Sequence, residues 1–423
     1  MIKIILLLLF YFTFPLLIIY MCRKWTVLQK LGTIVLAYLF GLILGSSGIF
    51  PDGSEQYRSL LQGRAAIPGT EMEKHIKEGT ISEGDVWVNQ IAGLQDTTQA
   101  VILLAFPLLL FSIDLKKWLK YAKKGFISVV LALISGIVMV TAGFFIWKDS
   151  IPESWKLAGM FEGIYTGGTP NFVALKMALD VDPELFVVVN TYDMIVGAFL
   201  VLFFITIGPR IFRYILPRFT EEKGIEIEES EIVKETENLE DFSGMLNKGV
   251  FLPLLKALGI SAVIFGISFG LSLVLPKLPQ MVVIVLSITT LSILASMIKQ
   301  INRIEKTFQL GMYLIIVFSL VIASMADLKT MFSIGMVDLI LFISWCYFGS
   351  LILHLILARI FRVDADNFLI TATAFIFSPP FVPMVANALK NKNVIVTGIA
   401  GGIIGYVLGN YFGVALAYFL KGF

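Results

Sequence analysis

Apolar runs long enough to cross a bilayer recur from one end of this chain to the other. A spanning helix takes about 20 mostly apolar residues, because it rises 1.5 Å per residue through about 30 Å of hydrocarbon. Runs of that kind cover approximately residues 2–21, 31–49, 97–113, 125–147, 157–179, 184–208, 249–275, 279–298, 307–325, 333–358, 365–388 and 393–419. They predict an all-α polytopic membrane protein with about twelve transmembrane helices. The composition agrees: of 423 residues, 57% are hydrophobic and 15% charged. The mean hydropathy of +0.86 lies beyond ordinary water-soluble domains. Basic and acidic residues, 33 and 31, nearly balance and gather in the connections, which leaves no basic face for nucleic acid. Membrane lipid is the expected surrounding, in a bacterial plasma (inner) membrane, and homodimer formation is left open.

Reactive side chains are sparse. Cys22 and Cys346 lie far apart at or inside apolar runs, and His75 and His354 are isolated, so neither a disulfide framework nor a thiolate metal site is expected. GISFG at 266–270 has nucleophile-elbow spacing but sits inside an apolar run, without the strand-to-helix turn that such an elbow requires. No enzyme activity and no cofactor are expected. The run 2–21 reads as a retained helix rather than a signal peptide, since its only basic residue is Lys3 and the residue before Cys22 is Met21, not the small one a peptidase needs.

Two polar segments interrupt the runs, Pro51 to Gln95 and Phe219 to Lys248, the second carrying the acidic stretch Glu226 to Glu231. The latter reads as a linker, 219–248, between membrane repeats 1–218 and 249–423. Lysine and arginine mark cytoplasmic loops. Arg23, Lys24 and Lys30, then Lys116, Lys117, Lys120, Lys123 and Lys124, then Lys299, Arg303, Lys306, Arg359 and Arg362 fall on that side, and the 51–95 loop falls outside.

The two parts look alike. LLLFSIDLKK at 108–117 parallels VIASMADLKT at 321–330, and each is followed by a long apolar span and then an interrupted one, GGTPNF at 167–172 and SPPFVP at 378–383. The charge bias puts the first Asp-Leu-Lys corner inside and the second outside, which predicts two inverted repeats with one broken helix each. An even number of spans between matching elements cannot invert, so the count of about twelve and the orientation conflict.

Glycine and proline inside a membrane helix free backbone groups that lipid cannot satisfy, so breaks persist where they line an enclosed or watery cavity. Paired breaks at corresponding positions point to a transporter's binding site. At the first break Glu162, Thr166 and Thr169 recur at helical spacing until Pro170, so one carboxylate and two hydroxyls are expected to converge there with Gly168 and Asn171. The second break offers Ser378, Pro379, Pro380 and Asn387, with Thr371 and Thr373 before it. These are the candidate substrate-binding residues. The span after the first break carries Asn190, Thr191 and Asp193. An intramembrane acid is a functional candidate by default, and these three are the candidate cation-coupling group for Na⁺ or H⁺, with Asn190 and Asp193 as Na⁺ ligands. The recurring glycines of GIAGGIIGYVLGN at 398–410 read as a close-packing face.

LLLFSIDLKK, GGTPNF, NTYDMIVGAF, MADLKT and SPPF together resemble the YjcL-like family of uncharacterised membrane proteins, domain of unknown function 819, along nearly the whole chain. That family is similar to the bile acid/arsenite/riboflavin class of secondary transporters, which implies a core domain of crossed broken helices beside a panel domain. The resemblance implies transport of a small organic solute, an anion or a small peptide, and names no substrate. A channel and a non-transporting receptor are the alternatives. An intramembrane aspartyl protease would need two facing aspartates, and Asp193 alone is embedded.

Overall fold

The computed structural model describes residues 2–25, 28, 31–61, 66–113, 125–220, 241–325 and 336–423. Among them there is no strand. The main helices are α1 Ile2–Lys24, α2 Thr33–Ser46, α3 Glu55–Leu61, α4 Gly69–Lys77, α5 Glu83–Gln99, α6 Ile102–Phe111, α7 Phe126–Trp147, α8 Ser154–Gly167, α9 Thr169–Ala178, α10 Pro183–Thr206 and α11 Gly208–Ile215. Then come α12 Lys248–Val274, α13 Gln280–Ser296, α14 Thr307–Ser324, α15 Val337–Ile360, α16 Ala365–Phe377, α17 Val382–Leu389 and α18 Ile395–Leu420. Eight described helices are long and apolar enough to cross a membrane. Leu16, Phe199, Val263 and Ile352 stand exposed on them, the pattern of helices whose solvent is lipid. The charge markers Lys30, Lys116, Lys117, Lys120, Lys123 and Lys124, both Asp-Leu-Lys corners and the acidic stretch 226–231 lie outside the described residues.

The chain forms two compact units, and each takes segments from both sides of the linker. One comprises residues 1–105, 182–189 and 312–334. In it a buried polar node joins α1, α5 and α14: the Tyr11 hydroxyl meets Ser324 Oγ at 2.7 Å, and Gln95 Nε2 donates to both. The N-terminal run is thereby packed as a helix within this unit. The loop at 51–95, to which the sequence assigns no role, has a core of its own made of Tyr57, Ile67, Met72 and Ile81. Asp85 accepts from the amides and hydroxyls of Ser54 and Ser82, closing a capping box at the start of α5. Asn89 bonds both backbone groups of Ile67. Burial, with the Asp85 charge adding, pushes the Tyr57 hydroxyl up to about 12.

The other unit holds residues 106–181, 190–311 and 335–423, and in it one expectation is corrected. The segments read as broken spanning helices are helical hairpins that double back. In hairpin one, α8 and α9, Gly159 lies against Leu179 and Gly163 against Leu175. Phe161 meets Phe172 edge to face at 5.8 Å, and at the open end Lys156 Nζ donates to the Asp180 carbonyl at 2.6 Å. In hairpin two, α16 and α17, the open end is closed by Asn391 Nδ2 on Asp366 at 2.9 Å. Arg213 holds the same carboxylate with two bonds of 2.8 Å and also donates to the Leu389 carbonyl. The limbs α8 and α9, 14 and 10 residues long, rise only about 21 and 15 Å. Hydropathy averages over the whole segment and cannot distinguish a kink from a reversal.

The hairpins share a backbone pattern. Positive φ occurs at Glu153, Gly168 and Asp180 around the first, and at Arg362, Ser378 and Lys390 around the second. The turn-to-end spacing is the same in both, since Gly168 precedes Asp180, and Ser378 precedes Lys390, by 12 positions.

Candidate functional site

Each hairpin turns on a single residue. Gly168 has φ 70° and ψ −159°, and Ser378 has φ 87° and ψ 162°. Both lie in a region open essentially to glycine alone, and a side chain there costs about 1–3 kcal/mol. The turns touch: a Cβ on Gly168 would stand 2.8 Å from Ser378 Cβ and 3.2 Å from its amide nitrogen. Two reversals 210 positions apart thus meet at their tips.

Helix α18 is the surface on which both rest. Its Gly398 faces Ile370 and Val382, and Gly402 faces Pro379. Farther along, Gly405 abuts the Thr166 carbonyl, Gly409 faces Thr166 and Asn171, and Gly413 faces Leu175. Hairpin two therefore packs on the first turns of this stripe and hairpin one on the later turns, with the tips meeting between Gly402 and Gly405. Asn171 Nδ2 donates to the Gly405 carbonyl at 2.9 Å, fixing hairpin one to the helix. The close-packing reading of these glycines holds.

The expected convergence of Glu162, Thr166 and Thr169 does not form. Thr166 Oγ1 turns back onto the carbonyls of Glu162 and Gly163, at 2.5 and 3.0 Å, a local bond that threonine makes readily inside a helix. Glu162 points away from the tip toward α7, with Oε2 3.1 Å from where a Cβ on Gly136 would stand. Thr169 begins a new helix beyond the reversal and is half-buried beside the tip. Pro170, Asn171, Ser378 and Pro379 are buried around the tips, while Pro380 is half-buried. Asn387 is exposed near the open end of hairpin two, apart from the residues gathered at the tips. Pro379 and Pro380 lack an amide hydrogen, as does Pro170, so the unpaired backbone N–H groups at the tips are those of the first turn of α9 other than Pro170, with the Ser378 hydroxyl as hairpin two's donor.

Asp193 is half-buried and accepts a hydrogen bond from the Tyr347 hydroxyl. Tyr347 sits in a π-helical turn, Trp345–Gly349, within α15, a distortion that often marks functional positions. Its ring also meets Phe161 of hairpin one. The motif WCYFGS carries no signal of that turn, and no sequence argument pairs Tyr347 with Asp193. Asn190 is buried one turn earlier on α10, and Thr191 is half-buried. Among the described residues no group of three or more His, Cys, Asp or Glu is placed to hold a metal ion. His354 is buried against Phe368, its ring nitrogen 3.3 Å from Ser128 Oγ.

Apolar helices of spanning length, with two hairpins meeting tip to tip on a glycine-lined helix, define a polytopic α-helical membrane protein. The family described as "Protein of unknown function (DUF819)" matches residues 88–423, and the chain belongs to it. The match begins inside α5, so α1 to α4 lie before it. The chain is also 24% identical over 332 residues to "Uncharacterized membrane protein YjcL" of Bacillus subtilis (strain 168), an alignment covering 76% of this chain and 82% of that one.

Proposed function

We propose that this protein is a secondary active transporter that moves a small organic solute by cation-coupled alternating access, with the solute held at the two hairpin tips. The observation that carries the reading is the contact of Gly168 with Ser378. Backbone reversals at membrane depth leave polar groups that only an enclosed or watery site can satisfy, and two of them meet here. The N–H groups at the start of α9 and the hydroxyls of Thr169 and Ser378 favour an anionic or amide-bearing group.

Topology supports the same reading. With each hairpin entering and leaving on one side, the crossings are the eight long apolar helices plus Thr33–Ser46 and Gln280–Ser296. On this count α15 is the fifth crossing after its counterpart α7, an odd offset that gives the two opposite directions through the membrane and fits inverted repeats. Threading the chain from an outside N-terminus leaves every basic cluster cytoplasmic: Arg23 and Lys24, Lys116 to Lys124, Arg210 to Arg218, Lys299 to Lys306, and Arg359 with Arg362. Hairpin one opens outward and hairpin two inward in this arrangement.

Uptake by proteoliposomes tests the function, using a panel of small organic anions and short peptides with an imposed Na⁺ gradient, an imposed proton gradient, or neither. Accumulation above equilibrium driven by one gradient is the expected result. Flux that only equilibrates solute would mean a channel, and no flux from folded protein would favour a receptor.

A further inference from the structure

Glu162 lies six positions before the Gly168 tip and is fully buried, and neither of its carboxyl oxygens has a hydrogen-bond partner among the described residues. The groups facing it are few. From its own helix comes Tyr165, and from α7 the backbone at Gly136. The Cys346 thiol in the π-turn of α15 lies within electrostatic range of it. The Tyr165 and Ser350 hydroxyls approach each other without forming a well-shaped bond, and both are buried. Four polar atoms of Glu162, Tyr165 and Ser350 thus lie without good partners in one interior region between hairpin one, α7 and α15. Native interiors rarely leave such groups unsatisfied, and clusters of them mark functional positions.

We propose that Glu162 is a proton-binding site, and that the proton it carries holds hairpin one against α7 and α15. An ionised carboxylate in this place has neither an ion pair nor a hydrogen bond among the described residues to offset the loss of water, a cost of several kcal/mol. A neutral acid fits without that cost. A hard metal cation takes about six oxygen ligands, and among the described residues no group of three or more His, Cys, Asp or Glu is placed to supply them, which favours H⁺ as the ligand. Loss of the proton then requires hairpin one to draw away far enough for water to reach the carboxylate. Because Glu162 and the tip share α8, the protonation of one sets the position of the other. Asp193, half-buried and bonded to Tyr347, is the contrasting acid and serves as a control. This inference deepens the transport reading and rests on it for the direction of coupling, while the site itself is testable without a substrate.

The test uses the full chain in liposomes and the proton as ligand. Infrared pH-difference spectra of protein carrying ¹³C-labelled glutamate should contain an un-ionised carboxyl C=O band, lost in Glu162→Gln and kept in Asp193→Asn. In parallel, a cysteine at Thr169 should react with a membrane-impermeant thiol reagent faster as pH rises. In the Glu162→Gln background its reactivity should keep only the pH dependence of the thiol itself. If Glu162→Gln does not fold, Glu162→Asp should shift the band rather than abolish it. A band that survives Glu162→Gln, or identical pH profiles for the tip cysteine in both backgrounds, overturns the proposal. Proton-driven uptake that is undiminished in Glu162→Gln removes the proton site and leaves transport standing. The spectral and labelling results without any uptake would keep the site and remove transport.

Discussion

Gly168 and Ser378 stand in contact, each the single reversing residue of its own hairpin, and only one of them is the glycine that such a backbone favours. Ser378→Gly should release about 1–3 kcal/mol of backbone strain, partly offset by about 0.5–1 kcal/mol of added unfolded-state entropy. Thermal unfolding in detergent should show stability held or raised, with uptake reduced because the hydroxyl at the tip is gone. Gly168→Ala should lower stability, since its Cβ meets both strain and Ser378. A marked loss of stability in Ser378→Gly would mean that the hydroxyl, not the turn, anchors the tip.

Two glycine replacements should separate packing against protein from packing against lipid. A Cβ on Gly405 would fall on the Thr166 carbonyl, whereas Gly266 has nothing within 4 Å. Gly405→Ala should cost about 2–4 kcal/mol by overpacking. Gly266→Ala should be neutral or stabilising by up to about 1 kcal/mol, the helix-propensity gain. Paired melting curves read the difference directly, and a loss at Gly266 would reveal that its face is covered in the native protein, as in a homodimer.

The hairpins make a labelling prediction that spanning helices do not. Cysteines at Trp155 and Asp182 should both react from outside intact cells, and cysteines at Arg362 and Lys390 only after the membrane is opened. Opposite sidedness within either pair would restore a broken spanning helix.

Because Tyr347 donates to Asp193, Asp193→Asn and Tyr347→Phe should act on one interaction. Each should reduce gradient-driven uptake, and the double variant should be little worse than the more damaging single one, as coupled partners are non-additive. Additive losses would separate the two residues, and normal uptake in Asp193→Asn would remove it from the mechanism.

Outside the membrane, Asp241 predicts an acid limb of stability. Its carboxyl is held below the ordinary value of 3.8 by the hydroxyl and amide of Ser243 and by Lys306, whose ammonium is 3.2 Å away. A depressed carboxylate stabilises the fold fully above its unfolded value and loses that contribution as pH falls through the lower folded one. The melting-temperature gap between wild type and Asp241→Asn should therefore be present at ~pH 6 and shrink by ~pH 3. A gap independent of pH would assign the effect to geometry rather than charge.

The membrane class, the long apolar helices and the two breaks were legible in the sequence, because hydropathy and the Gly-Gly and Pro-Pro interruptions are local quantities. Gly168, Ser378 and their neighbours Pro170 and Pro379 were found in this way, and so was the glycine face of the last helix. Whether 157–179 kinks or doubles back was not legible. That depends on Leu179 reaching Gly159 and on Lys156 reaching the Asp180 carbonyl, contacts between positions about 20 residues apart whose energies no periodicity encodes. The same limit explains Glu162, placed by spacing beside the tip but turned by the fold toward Gly136, and Tyr347, paired with Asp193 across 154 positions. Apolar pattern determined which segments leave water; packing of helix on helix, possible only once they are all present, decided where each acid points and that the two tips meet.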